Sequence, residues 1–174
     1  MFVTMAVFAT AQTDHLTFMG IPLDGTITQF QAKLAKKGIK YDEVLSKYIS
    51  APCRVFHGLF AGEESNVYVY YNERSKIVYR AKAVMNINGL IRAEKQYSDF
   101  KKMLGDKYYL VGEDKDSQFI HDCIFVKDAF FKYVGSVGLY ISKNDIGYEE
   151  YSLHVDYVDG VNSEKDEDIR KDDL

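Results

Sequence analysis

Three residues with metal-ligand chemistry stand together at His121-Asp122-Cys123, in a chain with four histidines and two cysteines in all. On a strand, His121 and Cys123 would share a face while Asp122 takes the other. A metal site there needs a further ligand, with His57 the candidate by type. Structural zinc uses paired Cys/His motifs at tight spacing. The sequence has none, so no metal and no cofactor are expected. Glu113-Asp114-Lys115-Asp116 suggests calcium. Counted from Asp114, however, Phe119 stands where an EF-hand needs Gly, and Phe125 where it needs Glu. Gly135-Ser136-Val137-Gly138 lacks the Gly-x-Ser-x-Gly of a nucleophile elbow, and no glycine-rich phosphate loop is present. Glu63-Glu64 and Glu149-Glu150 are adjacent acids beside turns, and a glycosidase-like pair must be brought together from afar. His57 and His154 read as polar-face strand residues. No catalytic residues are assigned.

The unusual feature is 14 Tyr beside no Trp. Tyr68, Tyr70, Tyr71 and Tyr79 crowd one stretch. Tyr joins an apolar body to a polar tip, which suits half-buried sheets and binding surfaces. If a core covers the Val67/Val69 face, Tyr68 and Tyr70 lie on the other, with Arg80 and Lys82 near them. These four are the candidate ligand-binding residues, for a peptide, a glycan or an envelope protein. Cys53 and Cys123 are a candidate disulfide if the protein folds in an oxidising compartment. A bridge spanning about 70 residues would contribute roughly 4 kcal/mol.

The elements that must position these groups follow from periodicity. Residues 15–19 alternate as a short strand. Thr26 and Gln29 form a capping box ahead of Ile27, Phe30 and Leu34 at helical spacing, with Gly38 as the stop. Residues 41–49 read as a second short helix. From 53 to 85 three alternating runs separated by polar turns predict an antiparallel meander. Residues 90–108 repeat the helical spacing through Tyr97, Phe100 and Leu104. Residues 112–117 form a charged loop, and further strands are expected near 119–131, 136–142 and 148–158. The expected order is β-α-βββ-α-βββ, an α+β fold with an antiparallel sheet, two long helices on one face, and an α-βββ unit that occurs twice.

The chain has 174 residues, 47% hydrophobic and 28% charged, enough for one domain. Seven of 26 acids and three of 22 bases lie in 159–174, leaving 19 of each in the body. A neutral body argues against a nucleic-acid partner, and no run is long enough to span a bilayer. Residues 1–11 are apolar and end Ala9-Thr10-Ala11, the small-x-small pattern of a leader cleaved near Ala11/Gln12. The expected organisation is a signal-peptide remnant at 1–11, one α+β domain at 12–158, and an acidic mobile tail at 159–174.

The stretches HLTFMGIPLDGTITQFQAKLAKKG, FHGLFAG and SKIVYRAKA resemble uncharacterised small exported proteins of Gram-negative gut bacteria, over most of residues 15–105. The resemblance implies export to the periplasm or beyond and an α+β fold. It implies no reaction. The function expected is an exported, non-enzymatic binding module, possessing a Tyr-rich sheet face for its ligand. The alternatives are a small hydrolase, favoured by a deep polar pocket gathering His57 or His121 with acids, and an inhibitor or envelope assembly factor acting through a sheet edge or loop.

Overall fold

Thr26 starts the first long helix as its side chain dictates. In the computed structural model, which describes residues 15–113, 119–129, 132–144 and 150–163, Thr26 Oγ1 accepts from Gln29 N at 3.4 Å and Gln29 Oε1 accepts from Thr26 N at 3.0 Å. Helix α1 (Ile27–Lys36) buries Ile27, Phe30 and Leu34, and Gly38 (φ 81°) takes the left-handed conformation that ends it. The N-terminal strand is half of a small hairpin, β1 (Thr17–Phe18) with β2 (Ile21–Pro22).

Residues 41–49 divide. Lys40–Asp42 is a strand, β3, and Glu43–Tyr48 a helix, α2, capped by Asp42, whose Oδ1 accepts from Leu45 N at 2.8 Å. The meander follows as β4 (Cys53–Phe60), β5 (Glu63–Tyr71) and β6 (Val78–Asn88). Helix α3 (Leu90–Gly105) buries Ala93, Tyr97, Phe100 and Leu104. The last strands are β7 (Tyr109–Glu113), β8 (His121–Ala129), β9 (Lys132–Lys143) and β10 (Glu150–Asp159).

The α+β architecture with an antiparallel sheet therefore holds, but the expected order lacked two sheet strands, β3 and β7. Eight strands form one antiparallel sheet in the order β3-β4-β5-β6-β10-β9-β8-β7. Each long helix leads a set of four strands that runs from an outer edge inward, and the two sets meet where β6 pairs with β10. The two missed strands are the outermost ones. β3 has three residues, and all five residues of β7 are exposed, so neither leaves the burial alternation that a sequence pattern records.

One face of the sheet is apolar. Val67, Val69, Ala81, Ala83, Leu139, Ile141, Leu153 and Val155 join the buried residues of α1 and α3 in a single core cluster. No helix among the described residues is long and apolar enough to cross a membrane. The leader-like residues 1–11 lie outside the described residues.

Two expectations are corrected here. Cys53 and Cys123 are both buried free thiols. They sit on β4 and β8, which are five strand spacings apart in the sheet. At about 4.8 Å per spacing that is roughly 24 Å, far beyond the Cα separation of about 7 Å that a disulfide tolerates. The expected tail boundary also moves. Asp159 is fully buried and Asn162 nearly so, so residues 159–163 belong to the folded body, held by the hydrogen bonds of those two side chains. Residues 164–174 lie outside the described residues.

Candidate functional site

The second face of the sheet carries the polar positions of the same strands. Strand register arranges them in rows. One row reads Cys53, Tyr70, Arg80, Val158, Ser136 and Val126; the next Val55, Tyr68, Lys82, Asp156, Gly138 and Ile124; a third His57, Asn66, Val84, His154, Tyr140 and Asp122. The candidate residues Tyr68, Tyr70, Arg80 and Lys82 thus form two adjacent cross-strand pairs. Each cation lies over its partner's ring, the Arg80 guanidinium 4.9 Å from the Tyr70 centroid and Lys82 Nζ 5.4 Å from that of Tyr68.

Arg80 also grips Asp156 on β10 with both arms, Nε donating to Oδ1 at 2.8 Å and Nη2 to Oδ2 at 2.5 Å. The Asp156 side chain is only 9% exposed, so this ion pair is nearly dry on its acidic side. The charge-assisted hydrogen bond, more than any other influence, holds Arg80 in its charged form, while burial opposes it. Burial pushes Tyr70 and Tyr140 up to about 12 and lowers the Lys82 ammonium from its ordinary value, with Asp156 acting against that last shift. Gly138 faces Asp156 across the strand pair, and a Cβ there would meet only the Asp156 Cβ at 3.8 Å, so the face has a dip at its centre. Gly135 has a different reason: a Cβ would come within 2.4 Å of the Val158 carbonyl oxygen. The glycine pair of the 135–138 motif therefore serves packing and shape.

His154 stands beside this cluster. Its ring stacks on Tyr140 (centroids 4.4 Å apart, planes 10°), which in turn packs on Phe119 at 4.4 Å. Its Nε2 is 2.8 Å from Ser142 Oγ, whereas its Nδ1 is sealed from solvent with no hydrogen-bond partner. Burial, then the Lys82 charge, depress its pKa from 6.5 to about 4, against the opposing pull of Asp156. Between these values the unfolded chain binds a proton that the folded chain refuses. Stability conferred by the neutral ring is therefore present above about 6.5 and lost as the pH falls towards about 4. The shift corresponds to a stability change on the order of 3 kcal/mol at most. His154→Phe keeps the ring and removes the proton site. In urea titrations the stability of the wild type relative to this variant should fall across that pH window, and a pH-independent difference would contradict the assignment.

The other histidines lie apart. His57 is held from both sides, Nε2 2.5 Å from Asp42 Oδ2 and Nδ1 2.6 Å from Asn66 Oδ1. The bond from Leu45 N and then the contact with His57 keep Asp42 below the usual carboxylate range. With both ring nitrogens engaged, His57 has no free position for proton exchange with a substrate. His121 lies at the other end of the sheet on the apolar face. It stacks on Tyr97 at 5.0 Å and faces Glu94 with Nε2 3.5 Å from Oε1. A groove of about 1010 Å³ between α3 and strands β7 and β8 is lined there by Glu94, Tyr97, Lys101, Glu113 and His121. Lys101 spans it to Glu113 at 2.5 Å. Cys123 lies under Tyr97, its thiol raised by burial, and Cys53 is raised by burial to about 11. The would-be metal set is thus dispersed, with His57 on the opposite face of a distant strand. Among the described residues no three His, Cys, Asp or Glu side chains converge on a metal position. Glu113 ends β7, Glu63 and Glu64 start β5 and Glu150 starts β10; Asp114 to Asp116 and Glu149 lie outside the described residues.

Asp156, Tyr140 and Gly138 are members of the cluster that sequence reasoning did not single out. The signal available was the alternation of His154 and Asp156 with Leu153, Val155 and Tyr157, which marks polar positions on a buried strand without naming its neighbours. A scan of protein-family models, a search of curated proteins and a search of solved structures each return no match for this chain.

Proposed function

We propose that this chain is an exported, non-enzymatic binding module that holds its ligand on the second face of the sheet. In this reading both long helices lie on the apolar face, leaving the Tyr/Arg/Lys face to a partner. The observation that carries the reading is the cluster of Tyr68, Tyr70, Arg80 and Lys82, ordered by cross-strand cation–ring contacts before any ligand arrives. Aromatic and arginine side chains held in a half-buried patch are the usual energetic centres of recognition surfaces, and pre-ordering reduces the entropy lost on binding. The leader-like residues 1–11 and the resemblance to small exported proteins support an envelope location. The engaged ring of His57 removes that histidine from the hydrolase alternative, for which the groove gathering His121 with Glu94 and Glu113 remains the feature in favour.

The test is a quantitative pull-down from envelope extract with wild type and the Tyr68→Ala/Tyr70→Ala variant, both shown to be folded by circular dichroism. Proteins or glycans retained by the wild type should be lost from the variant. Identical capture by both would refute the assigned surface.

A further inference from the structure

Within that proposed reading, the charges on this face specify the ligand. Two cations and one acid meet at its centre. Arg80 consumes Asp156 through both carboxylate oxygens. Lys82 is the direct cross-strand neighbour of the same aspartate and is stabilised by its charge, yet among the described residues it makes no hydrogen bond or close ion pair, and its ammonium lies over the Tyr68 ring. A half-buried ammonium whose neighbouring carboxylate is already bonded by another cation is costly to keep. Its Nζ is not sealed, because the sealed, unpartnered side-chain atoms among the described residues are Gln96 Oε1 and His154 Nδ1. The hydroxyls of Tyr68, Tyr70 and Tyr140 likewise meet no protein acceptor among the described residues and are not sealed. The centre of the face thus offers one point positive charge flanked by neutral phenol donors, beside the dip over Gly138.

We infer that the ligand places a carboxylate on Lys82, and that it is an acidic peptide segment of a partner protein. One lysine with phenols matches a singly charged carboxylate. A phosphate dianion calls for further cations, and the Arg80 fork that would serve it is occupied. An acidic glycan would stack its sugar ring on an open aromatic face. Here register places Tyr68 between Val55 and Lys82, and Tyr70 between Cys53 and Arg80, which leaves ring edges and hydroxyls for contact. The chain's net charge of −4 opposes non-specific attraction of polyanions, so retention of one reports a local site.

Fluorescence anisotropy with labelled poly-L-glutamate tests this, with polygalacturonate and poly-L-lysine as comparison probes. Wild type should bind polyglutamate in preference to both. Lys82→Met should weaken binding about tenfold, whereas Lys82→Arg, which retains the charge, should stay within about threefold. The Met variant removes a cation that burial disfavours, so its urea midpoint should not fall, and both variants can be read as folded proteins. Unchanged binding by Lys82→Met, no polyglutamate binding by wild type, or a preference for polygalacturonate would overturn the inference. The binding role of the face itself is decided separately by the tyrosine variant: loss of envelope capture there, with Lys82→Met unaffected, would keep the face and discard the acidic peptide.

Discussion

Replacing Asp159 with alanine is expected to destabilise the protein by about 3–5 kcal/mol, the largest effect of any single polar substitution considered for this chain. The carboxylate is fully buried at the end of β10. Its Oδ2 accepts from Leu16 N at 2.8 Å, and its Oδ1 accepts from Asn162 N at 2.9 Å and lies 3.1 Å from His15 Nδ1. One side chain therefore ties the start of the described chain to its last turn. Asn162 completes the clasp by donating through Nδ2 to the Leu23 carbonyl at 2.6 Å and to that of Val78 at 3.3 Å. Alanine would strand two buried backbone N–H groups, each costly without an acceptor. Asp159→Asn retains one acceptor oxygen and should recover about half of the loss. Urea unfolding with an unchanged m-value measures both. A loss below about 1 kcal/mol for the alanine variant would show that the clasp contributes little.

The second large effect is on the binding face. Arg80→Ala leaves the Asp156 carboxylate, with a side chain 9% exposed, without its partner. Breaking a buried pair from one side costs about 3–5 kcal/mol. The Arg80 side chain is 35% exposed, so water can reach the gap, and about 2–4 kcal/mol is expected here. Removing both charges by Arg80→Met with Asp156→Leu should restore most of that loss, because an apolar pair no longer has a charge to desolvate. A double-mutant cycle isolates the coupling. If the single and double variants lose the same stability, the ion pair is not what orders this face, and the pre-ordering argument for binding loses its foundation.

These two sites differ in how far the sequence anticipates them. Tyr68 and Tyr70 opposite Val67 and Val69, with Arg80 and Lys82 within reach, is legible from alternation alone. Consecutive strands joined by short turns pair with each other, and a period of two assigns each side chain a face. Helices α1 and α3 are legible for the same kind of reason, a capping box in the first and apolar spacing in both. The partners of Arg80 and of Leu16 are not legible. Asp156 is 76 residues from Arg80, and Asp159 is 143 residues from Leu16. Nothing in local spacing says that β10 inserts beside β6. The disulfide expectation fails for the same reason: two cysteines at strand starts say nothing about how many strands separate them.

By itself the sequence determined the local units: the cap at Thr26, the stripes Ile27/Phe30/Leu34 and Tyr97/Phe100/Leu104, and the two faces of the β4–β6 meander. Each depends on residues within a few positions of one another, where backbone geometry alone fixes which side chains meet. The tertiary structure decided that β6 pairs with β10, that Arg80 takes both oxygens of Asp156 and leaves Lys82 without a carboxylate of its own, and that Asp159 closes the ends of the fold. Those outcomes follow from burying one continuous apolar face across the six inner strands of the sheet, a requirement that acts on the whole chain at once and leaves no periodic mark in any one segment.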